Sequence, residues 1–96
     1  MTVQNISDLE NFLSQQNLFE LLGVDKIGVF GSFARNEPFN DIDLFIEGDI
    51  AEARLLSFHE NLEKNLDTPV DIVLEKYPEP IIIMKAKKDF RYAKRA

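Results

Sequence analysis

The chain has no cysteine among its 96 residues. This absence excludes disulfide bonds and thiolate metal sites, and nothing else in the composition requires an oxidising compartment. The first residues are polar and acidic and lack the basic start and apolar core of a secretory signal, and no apolar run approaches the length of a membrane span. We therefore expect a cytoplasmic protein without a membrane segment.

Length and charge limit the organisation further. With 45% hydrophobic residues, a chain of this size can bury one core but not two, and we expect a single domain over residues 1–96. The net charge is -6, although residues 85–96 alone carry +5. The acidic remainder argues against nucleic acid as a partner. For the basic end we favour a solvated helix end, with a phosphate site as the alternative.

Periodicity predicts helices that alternate with short strands. A helix over 8–22 with Gly23 as its C-cap is followed by a buried strand over 26–31. Ser32 is then a suitable N-cap for a short helix that Pro38 stops.

The second half of the chain continues this pattern. A helix is predicted over 50–66, where apolar residues form one stripe. The end of the chain, 81–92, is predicted as a helix, with a strand at "IIIM" as the alternative. These elements predict an α+β (α/β-like) fold, with a sheet of three or four strands and helices packed on one face.

Two strands carry aspartates. In the strand predicted over 41–48, Asp41 and Asp43 share one face while apolar residues occupy the other. Asp71 lies early in a further strand predicted over 70–75.

Such carboxylates repel one another unless a hard cation neutralises them. Mg²⁺ prefers carboxylates together with phosphate oxygens, and two ions about 4 Å apart can hold the attacking and leaving oxygens of a phosphoryl transfer. We predict that Asp41 and Asp43 bridge the metals and that Asp71 completes the set and helps to deprotonate an attacking hydroxyl. The alternatives are a turn-capping or exposed surface role for each aspartate.

A candidate phosphate site precedes these acids. Gly31 lets the backbone approach a phosphate, and a helix beginning at Ser32 would offer free N–H groups and a hydroxyl to the phosphates of a nucleoside triphosphate. Arg35 could reach a phosphate or a partner, or pair with Glu37 instead.

A Gly-Ser pair after a strand, an Asp-x-Asp on the next strand and a later "VDIV" strand resemble the minimal nucleotidyltransferase family of the DNA polymerase β-like superfamily. The wording "GSFAR" followed by "DIDLFI" is similar to that of its small prokaryotic members, over nearly the whole chain. The resemblance implies a small mixed β-sheet of the nucleotidyltransferase palm fold and Mg²⁺-dependent transfer of a nucleoside monophosphate, AMP from ATP, to a hydroxyl. It implies metal ligands and catalytic residues at Asp41, Asp43 and Asp71.

The resemblance also implies a partner. Similar small proteins are antitoxins whose HEPN-type helical toxin is modified by AMP transfer to a tyrosine. The alternative is a non-catalytic antitoxin that neutralises its partner by docking. A homo-oligomer or partner could supply the surface for the base, which a chain of this length does not obviously provide.

One departure from the family pattern concerns the spacer "FARNEPFN", residues 33–40, which is shorter than is usual in the family. Because strand ends fix Ser32 and Asp41, we expect the site to survive, with a narrower nucleotide pocket. His59, Tyr77 and Tyr92 are interpreted as packing residues, outside the site.

Overall fold

The computed structural model describes residues 2–76 and 90–95. Over these ranges the elements are α1 (Ile6–Gln15), α2 (Leu18–Leu22), β1 (Lys26–Phe30), α3 (Gly31–Ala34), β2 (Ile42–Ile46), α4 (Glu52–Asn65), β3 (Val70–Leu74) and β4 (Arg91–Lys94). None of the helices in the described part of the chain is long and apolar enough to cross a membrane.

The strands form one four-stranded sheet in the order β3-β2-β1-β4. β2 and β3 are parallel, whereas β1 is antiparallel to both β2 and β4, so the predicted mixed sheet is confirmed. The alternating apolar residues of β2, Ile42, Leu44 and Ile46, are fully buried and join one core with residues of α1, α2 and α4. The other face of the sheet carries the aspartates.

The predicted helix over 8–22 is wrong, because the structure divides it into α1 and α2. Asn17 lies between them with a φ of 55°, in the left-handed region that asparagine tolerates better than most residues. The predicted C-cap at Gly23 is confirmed: its φ is 73° and its N–H donates to the carbonyl of Phe19. The break preserves burial, since Leu18 and Leu22 remain in the core.

The N-cap predicted at Ser32 is also wrong. Helix α3 begins at Gly31, and Phe30 occupies the N-cap position without a side-chain hydrogen bond. The chain turns from β1 into the helix at Gly31 itself, whose φ of 78° suits glycine. Asn36, with a φ of 62°, follows the end of the helix before Pro38.

A third correction concerns the end of the chain. Residues Arg91–Lys94 are strand β4, paired antiparallel with β1, and not the predicted helix or solvated helix end. Ala93 is fully buried beside Ile27, and its neighbour Tyr92 is paired with Gly28 on the opposite face. This strand has only four residues, two of them basic, so the alternation of buried and exposed side chains is difficult to recognise in the sequence. The rest of the predicted helix, 81–89, and Tyr77 lie outside the described residues.

An aromatic cluster lies on the face opposite the core. The Phe90 ring occupies the position that a Cβ of Gly28 would need, and it makes edge-to-face contacts with Phe45 and Tyr92 at centroid distances of 5.6 and 4.7 Å. The Tyr92 hydroxyl donates a 2.5 Å hydrogen bond to Glu47, which raises the pKa of Tyr92 to about 12. Tyr92 is thus a packing residue, and Glu47 is half-buried and hydrogen-bonded.

Candidate active site

Three aspartates converge where β2 and β3 begin. The parallel register places Asp43 directly beside Asp71, and Asp41 immediately precedes β2. One carboxylate oxygen from each residue lies within 4.8 Å of the other two. The structure therefore brings together the three acids that the sequence singled out, on the face that the alternation of β2 predicts.

Electrostatic strain is concentrated on the middle acid. Burial, together with the charges of Asp41 and Asp71, raises the pKa of Asp43 to about 6. A divalent cation bound between the three would remove this repulsion. Clustered carboxylate oxygens are also the donors that Mg²⁺ prefers, so the residues present fit such an ion.

Gly31 joins the acids to the candidate phosphate site. The antiparallel register pairs Phe30 with Asp43, so the start of α3 lies against the Asp43 carboxylate. A Cβ at position 31 would lie 2.6 Å from Asp43 Oδ2, too close for a stable contact. The sequence predicts a glycine that admits a phosphate, but it does not reveal that the same glycine leaves room for the central aspartate.

Ser32 is half-buried in α3, and Arg35 is exposed at the C-cap position directly after this helix. Arg35 Nη2 donates a 3.3 Å hydrogen bond to Ser32 Oγ, and Arg35 Nε pairs with Glu37 at 2.9 Å. The salt bridge foreseen as an alternative is therefore present. It holds the guanidinium next to the serine hydroxyl.

The short spacer is closed by an aromatic contact. Phe33 is buried, and its ring meets that of Phe39 edge to face with centroids 4.8 Å apart. This contact closes the loop between α3 and β2, and Asp43 lies beside Gly31.

His59 is on α4 and, as interpreted from the sequence, it is not part of the aspartate cluster. Its Nε2 is 3.0 Å from Glu63 Oε1 and 3.3 Å from the carbonyl oxygen of Val70. The contact with Val70 joins the half-exposed ring on α4 to β3, and the contact with Glu63 lies within α4.

The sequence is similar to known proteins over most of its length. The family model described as nucleotidyltransferase domain matches residues 6–95. A protein adenylyltransferase MntA from Thermococcus cleftensis is 33% identical over 81 residues, which span 78% of this chain and 82% of the relative.

Solved structures share the fold. A mutant of the toxin–antitoxin complex MntA-HpeT superimposes with a TM-score of 0.68 at 15% identity, over 91% of this chain and 73% of the other. A toxin–antitoxin structure with AMP-PNP gives 0.66 at 18% identity, over 91% and 73%. A tri-AMPylated Shewanella oneidensis HEPN toxin in complex with an MNT antitoxin gives 0.59 at 17%, over 88% and 72%. At these identities the likeness shows the fold.

Substitution of Gly31 should separate backbone strain from damage to the site. Gly31→Ala and Gly48→Ala both place a side chain at a positive φ, 78° and 92°, and each should cost about 1–2 kcal/mol of unfolding free energy. Only Gly31→Ala displaces Asp43, because nothing lies within 4 Å of a Cβ at Gly48. We expect Mg²⁺ affinity, measured by calorimetry, to fall about 10- to 100-fold in Gly31→Ala alone. Equal Mg²⁺ affinities of the two variants would contradict the conclusion that Gly31 leaves room for the Asp43 carboxylate in a metal site.

The raised pKa of Asp43 predicts a pH dependence of the metal-free protein. The pKa is about 6 in the folded chain against 3.8 for an ordinary aspartate, so the folded state binds the proton more tightly. The resulting stabilisation is present below about pH 4 and is lost as pH rises through about 6. Denaturant titrations in EDTA should show this decline in the natural chain and not in Asp43→Asn. Saturating Mg²⁺ should oppose it, and parallel pH profiles of the two proteins would refute the prediction.

Proposed function

The chain belongs to the nucleotidyltransferase domain family, and we propose that the reaction it catalyses is the transfer of AMP from ATP to a hydroxyl group of a protein partner. The observation that carries this proposal is the position of Asp43. It lies between Gly31 on one side and Asp71 on the other, so a single carboxylate joins the phosphate-binding turn to the other acids.

The three aspartates have different roles in the proposed reaction. Asp41 and Asp43 would hold Mg²⁺, two ions in the full arrangement, with Asp71 as a further ligand. When bound, Mg²⁺ neutralises the negative charge that develops on the phosphate oxygens.

The proposed reaction is an attack on the α-phosphorus of ATP. The acceptor oxygen attacks the α-phosphorus, the bond from that phosphorus to the bridging oxygen of the β-phosphate breaks, and pyrophosphate leaves. A carboxylate oxygen of Asp71 takes the proton of the attacking hydroxyl, because Asp71 is the member of the cluster on the strand farther from Gly31.

The turn at the start of α3 would position the rest of the triphosphate. The backbone at Gly31 is open to close approach, and the Ser32 hydroxyl is available to donate to a β- or γ-phosphate oxygen. Arg35 lies beside Ser32, where its charge would support the same phosphates.

The acceptor is proposed from the relatives. The Thermococcus cleftensis protein is named a protein adenylyltransferase, and the Shewanella oneidensis complex contains an AMPylated HEPN toxin. A HEPN-type helical protein is accordingly the proposed partner of this chain, in the cytoplasm. A HEPN reading frame next to the gene would support this role.

Removal of the paired carboxylates tests the proposal. Asp41→Asn combined with Asp43→Asn should abolish Mg²⁺-dependent ATP binding, measured by calorimetry, and lower AMP transfer at least about 100-fold, since only Asp71 remains of the three carboxylates that would hold the metal. The matched control is Asp25→Asn with Asp49→Asn, which removes the same charge from two exposed carboxylates.

Two outcomes would refute the proposed function. One is unchanged Mg²⁺-dependent ATP binding in the Asp41 and Asp43 double variant. The other is full suppression of a toxin in cells by that variant, which would favour neutralisation by docking instead of catalysis.

A further inference from the structure

Strand β3 presents a hydrogen-bonding edge. It is the outermost strand of the sheet, and within 2–76 and 90–95 it pairs with β2 alone. The Ile42 N–H donates to the Pro69 carbonyl and the Glu75 N–H donates to the Ile46 carbonyl. Since parallel pairing uses alternate residues of a strand, the N–H and carbonyl groups of Ile72 and Leu74 point away from β2.

His59 supports this assignment of the edge. Its Nε2 lies 3.3 Å from the Val70 carbonyl oxygen, which is the first outward-facing carbonyl of β3. The next outward groups, those of Ile72 and Leu74, lie further along the same edge. An added strand could therefore pair with β3 over these two residues without breaking the β2–β3 ladder.

An apolar groove runs along this edge. It has a volume of about 420 Å³ between β3 and α4, and Leu55, Leu56 and Ile72 are among its lining residues. Leu56 is 59% exposed and is the one large hydrophobic side chain so exposed in the described part of the chain. Asp71 also lines the groove. The groove therefore reaches the position on β3 that contributes Asp71 to the aspartate cluster.

We propose that an extended segment of the protein acceptor docks here, as an additional strand on the outer edge of β3, which has no partner strand among residues 2–76 and 90–95. This inference rests on the proposed function and identifies how that function selects its acceptor. Backbone hydrogen bonds to Ile72 and Leu74 would fix the register, and side chains would confer selectivity.

The pleat determines which acceptor residues go where. Cross-strand neighbours have Cβ atoms about 5 Å apart. The acceptor residue that carries the hydroxyl should therefore lie opposite Asp71, with its side chain on the face of the sheet that carries the aspartates. The residues before and after it point to the other face, into the groove beside Leu55 and Leu56. The acceptor should therefore carry its hydroxyl between two apolar residues.

The charge of the chain predicts which residues occupy the next positions of the acceptor segment. Residues two places from the hydroxyl return to the face that carries Asp71 and Glu75, in a chain of net charge -6. Basic side chains fit these positions. The proposed occupant is thus a basic, alternating strand, in which the order of the residues matters as well as the composition.

Two peptides of identical composition test the order. One contains Lys-Leu-Tyr-Leu-Lys and the other Leu-Lys-Tyr-Lys-Leu, each with glycine flanks and blocked ends. We expect the first to bind about tenfold more tightly to the chain saturated with Mg²⁺ and AMP-PNP. It should also shift the NMR signals of the Ile72 and Leu74 amides and slow their hydrogen exchange.

Equal binding of the two peptides, or no change at these amides with either, would overturn the proposal. So would amides of Ile72 and Leu74 that are already protected in the free protein, because another occupant would then cover the edge. Failure of the proposed function would give a different result. Mg²⁺-dependent binding of ATP would then be absent, irrespective of whether the peptides bind.

Two variants locate the contact. Leu56→Glu puts a charge into the groove, whereas Ser57→Glu puts the same charge on the next, exposed residue of α4, which does not line the groove. Leu56→Glu should weaken the first peptide about tenfold and leave Mg²⁺-dependent ATP binding unchanged. Equal effects of the two variants on peptide binding would exclude the groove as the binding site of the peptide.

A second outcome concerns the oligomeric state. A dimer that only Leu56→Glu dissociates, with peptide binding intact, would assign the surface to a second copy of the chain and overturn the proposal.

Discussion

Repulsion among three carboxylates is the constraint on which this site depends. The sheet holds Asp43 next to Asp71, with Asp41 at the entrance of the same strand, and burial together with these two neighbouring charges raises the pKa of Asp43 to about 6. A fold that places acids this close carries a cost that a bound cation removes. In the proposed site, metal binding would therefore relieve a repulsion that lowers the stability of the metal-free chain above the pKa of Asp43.

The rest of the molecule serves to hold that arrangement. Fully buried residues of β1 and β2 fix the sheet against the helices, and the turn at Gly31 brings the start of α3 against Asp43. The contact between Phe33 and Phe39 closes the short spacer between α3 and β2. The candidate phosphate site at Gly31 and the three aspartates thus lie on or next to neighbouring strands.

Much of this could be predicted from local pattern. Strict alternation in β2 places Asp41 and Asp43 on one face, and the family resemblance anticipates the mixed sheet. What could not be predicted depends on contacts between distant residues: the pairing of β4 with β1, and the close approach of Gly31 to Asp43. The break at Asn17 was missed because apolar spacing continues across it and only the backbone conformation reveals it.

The most direct measurement of the central claim follows the label on ATP. The chain, Mg²⁺ and a HEPN-type partner are incubated with ATP labelled at the α-phosphate or at the γ-phosphate, and the partner is then analysed for label and for intact mass. The account predicts that the partner gains label from the α-phosphate alone, with a mass increase of one AMP for each modified hydroxyl. Label from the γ-phosphate, or an unmodified partner in the presence of bound Mg²⁺ and ATP, would contradict it.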